Sequence, residues 1–522
     1  MEQSPQTPSR LSGEKSAYLQ AHTDDLVQWR PWGKKAFARA KKMNLPIFLS
    51  VGYASCPQCR LTQAESFRDT ELGGFLNRHF VRILVDRECR PDIDALFQTW
   101  SGAATGAGGW PLNLFLLEDG SPFLGGTYFP RVANDPDAQS FMDLASTGLR
   151  VWTLDREGAI AGGAEALEFL RAMNSPADSA TEAPDLDSAI EKIRELLDEE
   201  HGGLGHGPKF PQTPVIDLLL ATHGSSGAAW RIEAARKWLN SMLSSAIFDS
   251  ADGGVFRMSD LRDWGSPAAE KALIDQGLLL STLARANAIE PSEAYQSAAR
   301  LTADMLERRM RRPDCGFFSA VFIDAEEAEG ESVDYQVTQN TITAHNAIAA
   351  RGLIEAGAEF GDDWMVAAGM QALEWLLGEC LKGRKLLRTS DDKSLKDIRF
   401  LEDYAATVAA CLSAYEHAGR KDMLRTAIRL QGEAAGLFAS DQGFVMSVGD
   451  PLLPVAPVEY ADSPAPSGAS MLAENAVRLA KLTGDEAHLP TAASALRQFD
   501  RTLALAPHLA AHALYVASIM GR

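Results

Sequence analysis

Between Asn44 and Gln63 the chain reads NLPIFLSVGYASCPQCRLTQ, and this stretch restricts the possible folds more than any other. A short apolar run, Pro46 to Val51, ends in a turn of small residues, and Cys56-Pro57-Gln58-Cys59 stands where a helix should begin. Pro57 suits the first helical position, because the N–H it lacks would have no partner there. Cys56 is then the N-cap and the expected nucleophile, since free N–H groups and the helix dipole favour a thiolate at that end. Cys59, one turn on, is the expected resolving thiol, less exposed and less acidic than Cys56. The same pair would also serve as half of a zinc site or as two inert thiols, and the residues alone leave all three readings open.

The flanking segments supply a frame for this pair. Trp32–Met43 reads as a helix with Ala36, Phe37 and Ala40 on one face, and Phe80–Val85 as a second buried strand. The helix begun at Cys56 joins the two strands as a crossover, which makes them parallel neighbours. Parallel strands end on one edge, so the loop Asp86-Arg87-Glu88-Cys89-Arg90 is expected near the cysteine pair. Cys89 is either a third thiol able to bridge to the active turn or an incidental loop cysteine. Pro91–Thr99 reads as helix. A glycine-rich link then ends at Trp110, and Pro111 opens the strand Leu112–Leu117, a position that suits a cis peptide. Asp119-Gly120 turns the chain into the strand Phe123–Tyr128, and Gln139–Met173 closes a domain of residues 9–173 as helix.

Length and charge limit what surrounds that domain. A chain of 522 residues is too long for one core, and 46% hydrophobic with 23% charged residues is globular rather than disordered. The net charge of −20 argues against a nucleic-acid surface or an anionic membrane. No run approaches the roughly 18 apolar residues of a membrane span, and the polar start has no leader-like core, so a cytoplasmic location is expected. Six cysteines are too sparse for a disulfide scaffold, and Cys315, Cys380 and Cys411 read as buried thiols. There is no GxSxG elbow, Walker loop or dinucleotide fingerprint, so neither a metal nor a cofactor is expected.

Residues 174–184, with two prolines and few apolar side chains, read as a linker. Almost everything in 185–522 has helical periodicity: Ile232, Ala235, Leu239, Met242 and Ala246 share one face, as do Tyr295, Ala298, Leu301, Met305 and Leu306. Glycine turns followed by an apolar or aromatic residue recur at Gly203, Gly254, Gly316 and Gly443, at intervals of roughly 50–60 residues or twice that. One helical hairpin per interval gives six hairpins, either closed as an all-α (α/α)6 toroid or open as a solenoid.

The segments SRLSGEKSAYLQAH, FVRILVDRECRPDID and TGAGGWPLNLFLLEDGSPFLGGTYFP, together with the stretch leading to Cys56, resemble the thioredoxin-domain proteins of the YyaL and spermatogenesis-associated protein 20 type. The resemblance continues through HGGLGHGPKFPQTP, FDSADGGVFRMSD, LEDYAATVAACLSAYE and EYADSPAPSGASMLAENAVRLAKLTGD. It implies a thioredoxin-like α/β domain, in which Pro111 faces the cysteine pair. It also implies a C-terminal toroid similar to those of N-acylglucosamine 2-epimerases and six-hairpin glycosidases. For such a ring it implies an axial pocket, here Lys209, Asp252, Trp264, Glu270, Asp275, Glu402, Asp403, Tyr404 and Glu459; taken singly, each carboxylate also reads as a helix cap or a solvated face. Where the family reads CHWCHVM this chain has Cys56-Pro57-Gln58-Cys59-Arg60-Leu61-Thr62, and GGFHRYS and PHFEKMLYDN become GGVFRMS and PAAEKALIDQ. The sulfurs stay while the neighbouring histidines go, which weakens metal binding and epimerase chemistry alike. His345 and His417, at apparent helix ends, read as caps or dipole partners.

The expected function is therefore a dithiol oxidoreductase or thiol-dependent enzyme whose toroid binds a small-molecule or thiol/disulfide substrate, served by a reducing partner protein. The alternatives are a carbohydrate-active enzyme centred in the toroid and a binding protein that keeps both folds without chemistry.

Overall fold

In the computed structural model of the chain, residues 9–133, 138–175, 185–224, 227–323, 335–462 and 464–521 are described. The expected linker lies outside them apart from Asn174 and Ser175.

Five strands, β1 (Arg30–Pro31), β2 (Ile47–Gly52), β3 (Val81–Asp86), β4 (Leu112–Leu116) and β5 (Pro122–Gly126), form a sheet in the order β1-β3-β2-β4-β5. β2 and β3 are parallel, from Ile47 opposite Val81 to Gly52 opposite Asp86. β4 is antiparallel to β2, with Leu112 opposite Val51, and β5 is antiparallel to β4. Around the sheet lie α1 (Ala17–Ala21), α2 (Lys34–Met43), α3 (Pro57–Thr62), α4 (Thr70–His79), α5 (Pro91–Thr105), α6 (Phe141–Leu154) and α7 (Arg156–Met173). Alternate strand residues serve two cores, as a period of two requires. Ile47, Leu49, Val51, Ile83 and Val85 pack with Phe37 and Phe97 on one side. Phe48, Leu84 and Phe115 pack with Phe67 and Phe141 on the other. The arrangement is thioredoxin-like, as expected. The single closing helix is in fact two, because the Asp155 side chain accepts from Gly158 N and starts α7 afresh.

The compact N-terminal unit comprises Met1–Ser175 together with Asp391–Asp397 and Gly449–Pro457. Within it Asp450 Oδ2 accepts from Arg90 Nη2 at 2.6 Å and from Trp32 Nε1 at 3.1 Å, and Val455 joins the core beside Phe37. Arg90 and Asp450 are 360 residues apart in the chain. No local pattern announces such a pairing, and a contiguous domain of 9–173 does not include these two segments.

The remaining unit is built from α8 (Leu186–Arg194), α9 (Thr213–Ala221), α10 (Ala229–Leu243), α11 (Leu273–Ile289), α12 (Glu293–Met305), α13 (Thr343–Phe360), α14 (Asp363–Glu379), α15 (Leu401–Ala418), α16 (Lys421–Leu437), α17 (Gly468–Thr483), α18 (Leu489–Arg497), the short α19 (Asp500–Leu505) and α20 (Ala511–Met520). Each of α9, α11, α13, α15 and α17 packs on the next in that order, α17 packs on α20, and α20 returns to α9. Helices α10, α12, α14, α16 and α18 each back the inner helix before them, and α8 backs α20. The ring is therefore closed by the first and last helices, and the all-α part is a six-hairpin toroid rather than an open solenoid. Inner helices approach through small residues. A Cβ on Gly277 of α11 would stand 2.6 Å from Ile348 O, and one on Gly352 of α13 would stand 2.3 Å from Gly277 O.

Charged side chains from the inner helices meet in a buried network. Arg351 holds Glu474 with both terminal nitrogens, at 3.0 and 2.6 Å, and Glu355 through Nε at 2.7 Å. Arg285 of α11 reaches Asp217 of α9 and Glu355 of α13. Ser413 of α15 donates to Glu355 at 2.8 Å and accepts from Arg478 of α17 at 3.0 Å, while His512 Nε2 of α20 lies 3.2 Å from Glu474. All six inner helices thus contribute. Against the cost of burial, Arg351, Arg285 and Arg478 hold Glu355 well below the usual carboxylate range. Removing one member strands its partners without water. Glu474→Ala is expected to cost about 3–5 kcal/mol, read as loss of thermal stability of the helical unit, whereas breaking an exposed pair such as Arg420–Asp422 should leave the melting temperature nearly unchanged.

Candidate functional site

Strand direction places the cysteine pair. β2 ends at Gly52, and the chain turns through Tyr53-Ala54-Ser55 to Cys56, whose sulfur accepts the Cys59 N–H at 3.1 Å as the N-cap of α3. Pro57 occupies the first helical position, and the helical path continues past α3 through Gln63–Phe67. Cys56 is 4% exposed and Cys59 1%, so the expected order holds by a small margin and both sulfurs are buried. Burial, followed by the hydrogen bond and charge of Cys56, pushes the Cys59 thiol well above its ordinary pKa.

Pro111 is where the register requires it. Leu112 pairs with Val51, so Pro111 precedes it at the edge where β2 runs into the cysteine turn, and the Trp110–Pro111 peptide is cis. Cys89 follows β3 on the same edge, its sulfur 3.7 Å from Asp86 Oδ2. None of the six cysteines is in a disulfide. The edge also gathers residues that the sequence reading did not single out. The Arg87 guanidinium lies over the Trp110 ring at 4.1 Å and the Tyr53 ring at 5.3 Å, and its Nε donates to Asp94 at 3.0 Å. Trp110 Nε1 donates to the same carboxylate at 2.9 Å. Beneath Gly52 sits Tyr18 of α1, whose neighbour Ser16 donates to Asp86 at 2.6 Å. Only the position of these residues in the segments flanking the strands pointed to them.

In the toroid the residues expected at an axial pocket separate into three groups. Glu402, Asp403 and Glu459 come together. Arg388 Nη1 donates at 2.8 Å to both Glu402 and Asp403, and Asp403 also accepts from Ala344 N at the start of α13. Glu459 accepts from Gly468 N at the start of α17. Burial raises Asp403 to about 7, with Glu402 adding to it against the pull of Arg388. Burial and then Glu402 raise Glu459 to about 8. Glu270 and Asp275 stand at the start of α11, where Asp275 accepts from Arg257 at 3.3 Å.

The others hold turns together. Lys209 donates to Asp198 and Gly202 O, both at 2.6 Å, and Lys271 repeats the device on Asp249 at 2.7 Å and Gly253 O at 2.8 Å. Asp252 accepts from Arg308 and Arg309 at 2.9 and 3.0 Å. Trp264 is fully buried and donates to His201 O at 2.9 Å, and the Tyr404 hydroxyl accepts from Leu386 N at 3.2 Å. Three of the four recurring glycine turns share a clamp. Gln276 binds both backbone groups of Val255 at 2.8 Å, Asn346 those of Phe317 at 2.7 and 2.9 Å, and Gln498 accepts from Phe444 N at 3.1 Å. His417 lies in the last turn of α15, a favourable place for a cation, and His345 in the first turn of α13. Among the described residues no cluster of three or more His, Cys, Asp or Glu side chains could hold a metal ion, and no helix is long and apolar enough to cross a membrane.

Comparison with known proteins agrees with this anatomy. Residues 8–171 match the family model described as Thioredox_DsbH, a protein of unknown function, DUF255. Spermatogenesis-associated protein 20 of Mus musculus is 34% identical over 342 residues, covering 62% of this chain and 42% of that protein. The Homo sapiens protein of the same name is 33% identical over 337 residues, with the same coverage of each. The chain thus spans less than half the length of the curated relatives it matches. Among solved structures, the cellobiose 2-epimerase from Bacillus thermoamylovorans B4167 has 10% identity and a TM-score of 0.49, covering 61% of this chain and 86% of that one. At that distance it is the closure of this chain's own helices that establishes the toroid.

Glu459 gives a pH test. Its folded pKa is raised from 4.5 to about 8, so the folded state binds the proton more tightly and stability falls as pH rises through that interval. Glu459→Gln keeps an oxygen for Gly468 N–H and removes the titration. Thermal melts of the two proteins should coincide near about pH 4, with the variant melting higher at about pH 8 and above.

Proposed function

We propose that the chain is a thiol–disulfide oxidoreductase acting through Cys56 and Cys59, with a thiol or disulfide compound as substrate and a reducing partner protein to restore the dithiol. The observation that carries this reading is the placement of Cys56 Sγ at the start of α3, accepting the amide of Cys59 one turn on, at the edge that also carries the cis Trp110–Pro111 peptide. The Cys56 sulfur, as thiolate, attacks a substrate disulfide; Cys59 then displaces the bound half and leaves a Cys56–Cys59 disulfide. The sparse cysteines suit a reducing compartment, and cytoplasm is the proposed location.

The toroid is proposed as the binding element for the substrate. A second reading rests on Asp403 and Glu459, two buried carboxyls that titrate near neutrality beside Arg388 and Glu402. Such groups suit proton transfer on a hydroxyl-rich ligand, the pattern of a carbohydrate-active site.

A trapping experiment separates these readings. Exposed to a small disulfide, Cys59→Ser is expected to accumulate a stable mixed disulfide at Cys56, and Cys56→Ser to capture none at position 59 on the same timescale. Peptide mapping without reductant shows which occurs. Capture at Cys59 but not Cys56, or at neither, would contradict the redox assignment and shift weight to the toroid carboxyls.

A further inference from the structure

Resolution of a mixed disulfide requires Cys59 to lose a proton, yet the residue is 1% exposed. Burial and the neighbouring Cys56 act against that ionisation, as does Asp94, and the Tyr53 backbone N–H offsets them only in part. A thiolate formed there needs a hydrogen-bond donor, because the medium around it supplies little solvation. One donor is close and unused. The Tyr18 hydroxyl is buried and has no hydrogen-bond partner among the described residues. It and Cys59 Sγ crowd the same backbone atom: a β-carbon built on Gly52 would stand 2.4 Å from the hydroxyl oxygen and 2.8 Å from the sulfur. Glycine at that position keeps the space between the two open.

The Tyr18 ring is held firmly. Ser16, the N-cap of α1, is tied to Asp86, and the ring packs edge-on against His22 at 4.6 Å. His22 is held in turn by Asp25 at 2.6 Å, and Asp25 accepts from Trp29 and Gln63, each at 2.9 Å. The charged and titratable groups around the hydroxyl are Cys59, Cys56, Asp25 and Asp86, all of which disfavour a phenolate. Burial acts in the same direction, so the phenol keeps its proton and remains a donor.

We propose that Tyr18 donates a hydrogen bond to the Cys59 thiolate and so makes the resolving step possible in a buried site. The proposal rests on the dithiol reading above. In that step a mixed disulfide joins Cys56 to a substrate sulfur, and the Cys59 thiol gives up its proton. Its sulfur then attacks Cys56 Sγ, the bond from Cys56 to the substrate sulfur breaks, and the electron pair leaves on the substrate thiolate, which takes up the proton. The substrate disulfide is the oxidant, the cysteine pair is oxidised, and Tyr18 ends as it began. In the thiol form the hydroxyl has no partner, and in the thiolate form it gains one.

The test uses the full chain with Cys56→Ser, so that turnover is not required, and follows Cys59 by peptide-resolved alkylation against pH. Tyr18→Phe is expected to move the Cys59 titration upward by about one pH unit or more, corresponding to about tenfold less thiolate at a given pH. Because the lost hydroxyl has no partner in the thiol form, thermal stability should change little, which a purely structural hydroxyl would not allow. With Cys56 present, resolution of a preformed mixed disulfide should slow about tenfold while capture by Cys56 is unchanged. If Tyr18→Phe fails to fold, difluorotyrosine at position 18, a stronger donor, should move the titration downward instead. An unchanged Cys59 titration in either variant overturns the proposal. A shifted titration in a chain whose wild type forms no mixed disulfide would leave the hydrogen bond standing and remove the redox reading.

Discussion

Because β2 and β3 run parallel and in register to their last residues, Gly52 and Asp86, both deliver their following loops to one edge. The cysteine turn and the loop after β3 take their places from that pairing. Cys56 and Cys59 leave the end of β2, Arg87 and Cys89 leave the end of β3, and antiparallel β4 begins at the same edge with Trp110 and Pro111 just before it. A slip of one residue would turn Ile47, Leu49 and Val51 into the opposite core and move the cysteine turn off this edge. Two apolar cores of different composition, one rich in aliphatics and the other in aromatics, hold the register.

The helical unit solves a different problem. Six inner helices must meet around an axis, and the chain fills part of that axis with charge rather than hydrocarbon. Arg285, Arg351, Arg478, Asp217, Glu355, Glu474 and His512 form one connected network across five of the inner helices, and Ser413 ties in the sixth. Buried ion pairs seldom add net stability over well-packed apolar residues, but an incomplete set is costly, so such a network penalises any helix out of place. Glycine turns clamped by Gln276, Asn346 and Gln498 fix the approaches to the helices. Lysines 209 and 271, buried against Asp198 and Asp249, fix the turns themselves.

Much of this was legible in the residues. The strand into Cys56, the helix opened by Pro57, the parallel crossover and the cis position at Pro111 each follow from local chemistry, and the periodic glycine turns announced the hairpins. What local patterns could not carry was partnership across long separations. Lys209 reads as a pocket cation until Asp198 is seen beside it, and Asp252 as a pocket acid until Arg308 and Arg309 are. The inclusion of Gly449–Pro457 in the first unit depends on Arg90 meeting Asp450. Tyr18 was overlooked for a related reason: a tyrosine in a short helix reads as core, and only its unpartnered hydroxyl beside Cys59 sets it apart.

The account stands on Cys56 and Cys59 forming a reversible disulfide. The direct measurement is to equilibrate the full chain across a series of thiol–disulfide buffers, quench with acid, and follow by intact mass and peptide mapping the loss of two hydrogens per molecule. The account predicts a single two-electron transition, reversed by reductant, that maps to a peptide containing both Cys56 and Cys59. Absence of any transition across the accessible range, or a disulfide that maps to another pair of the six cysteines, would contradict it.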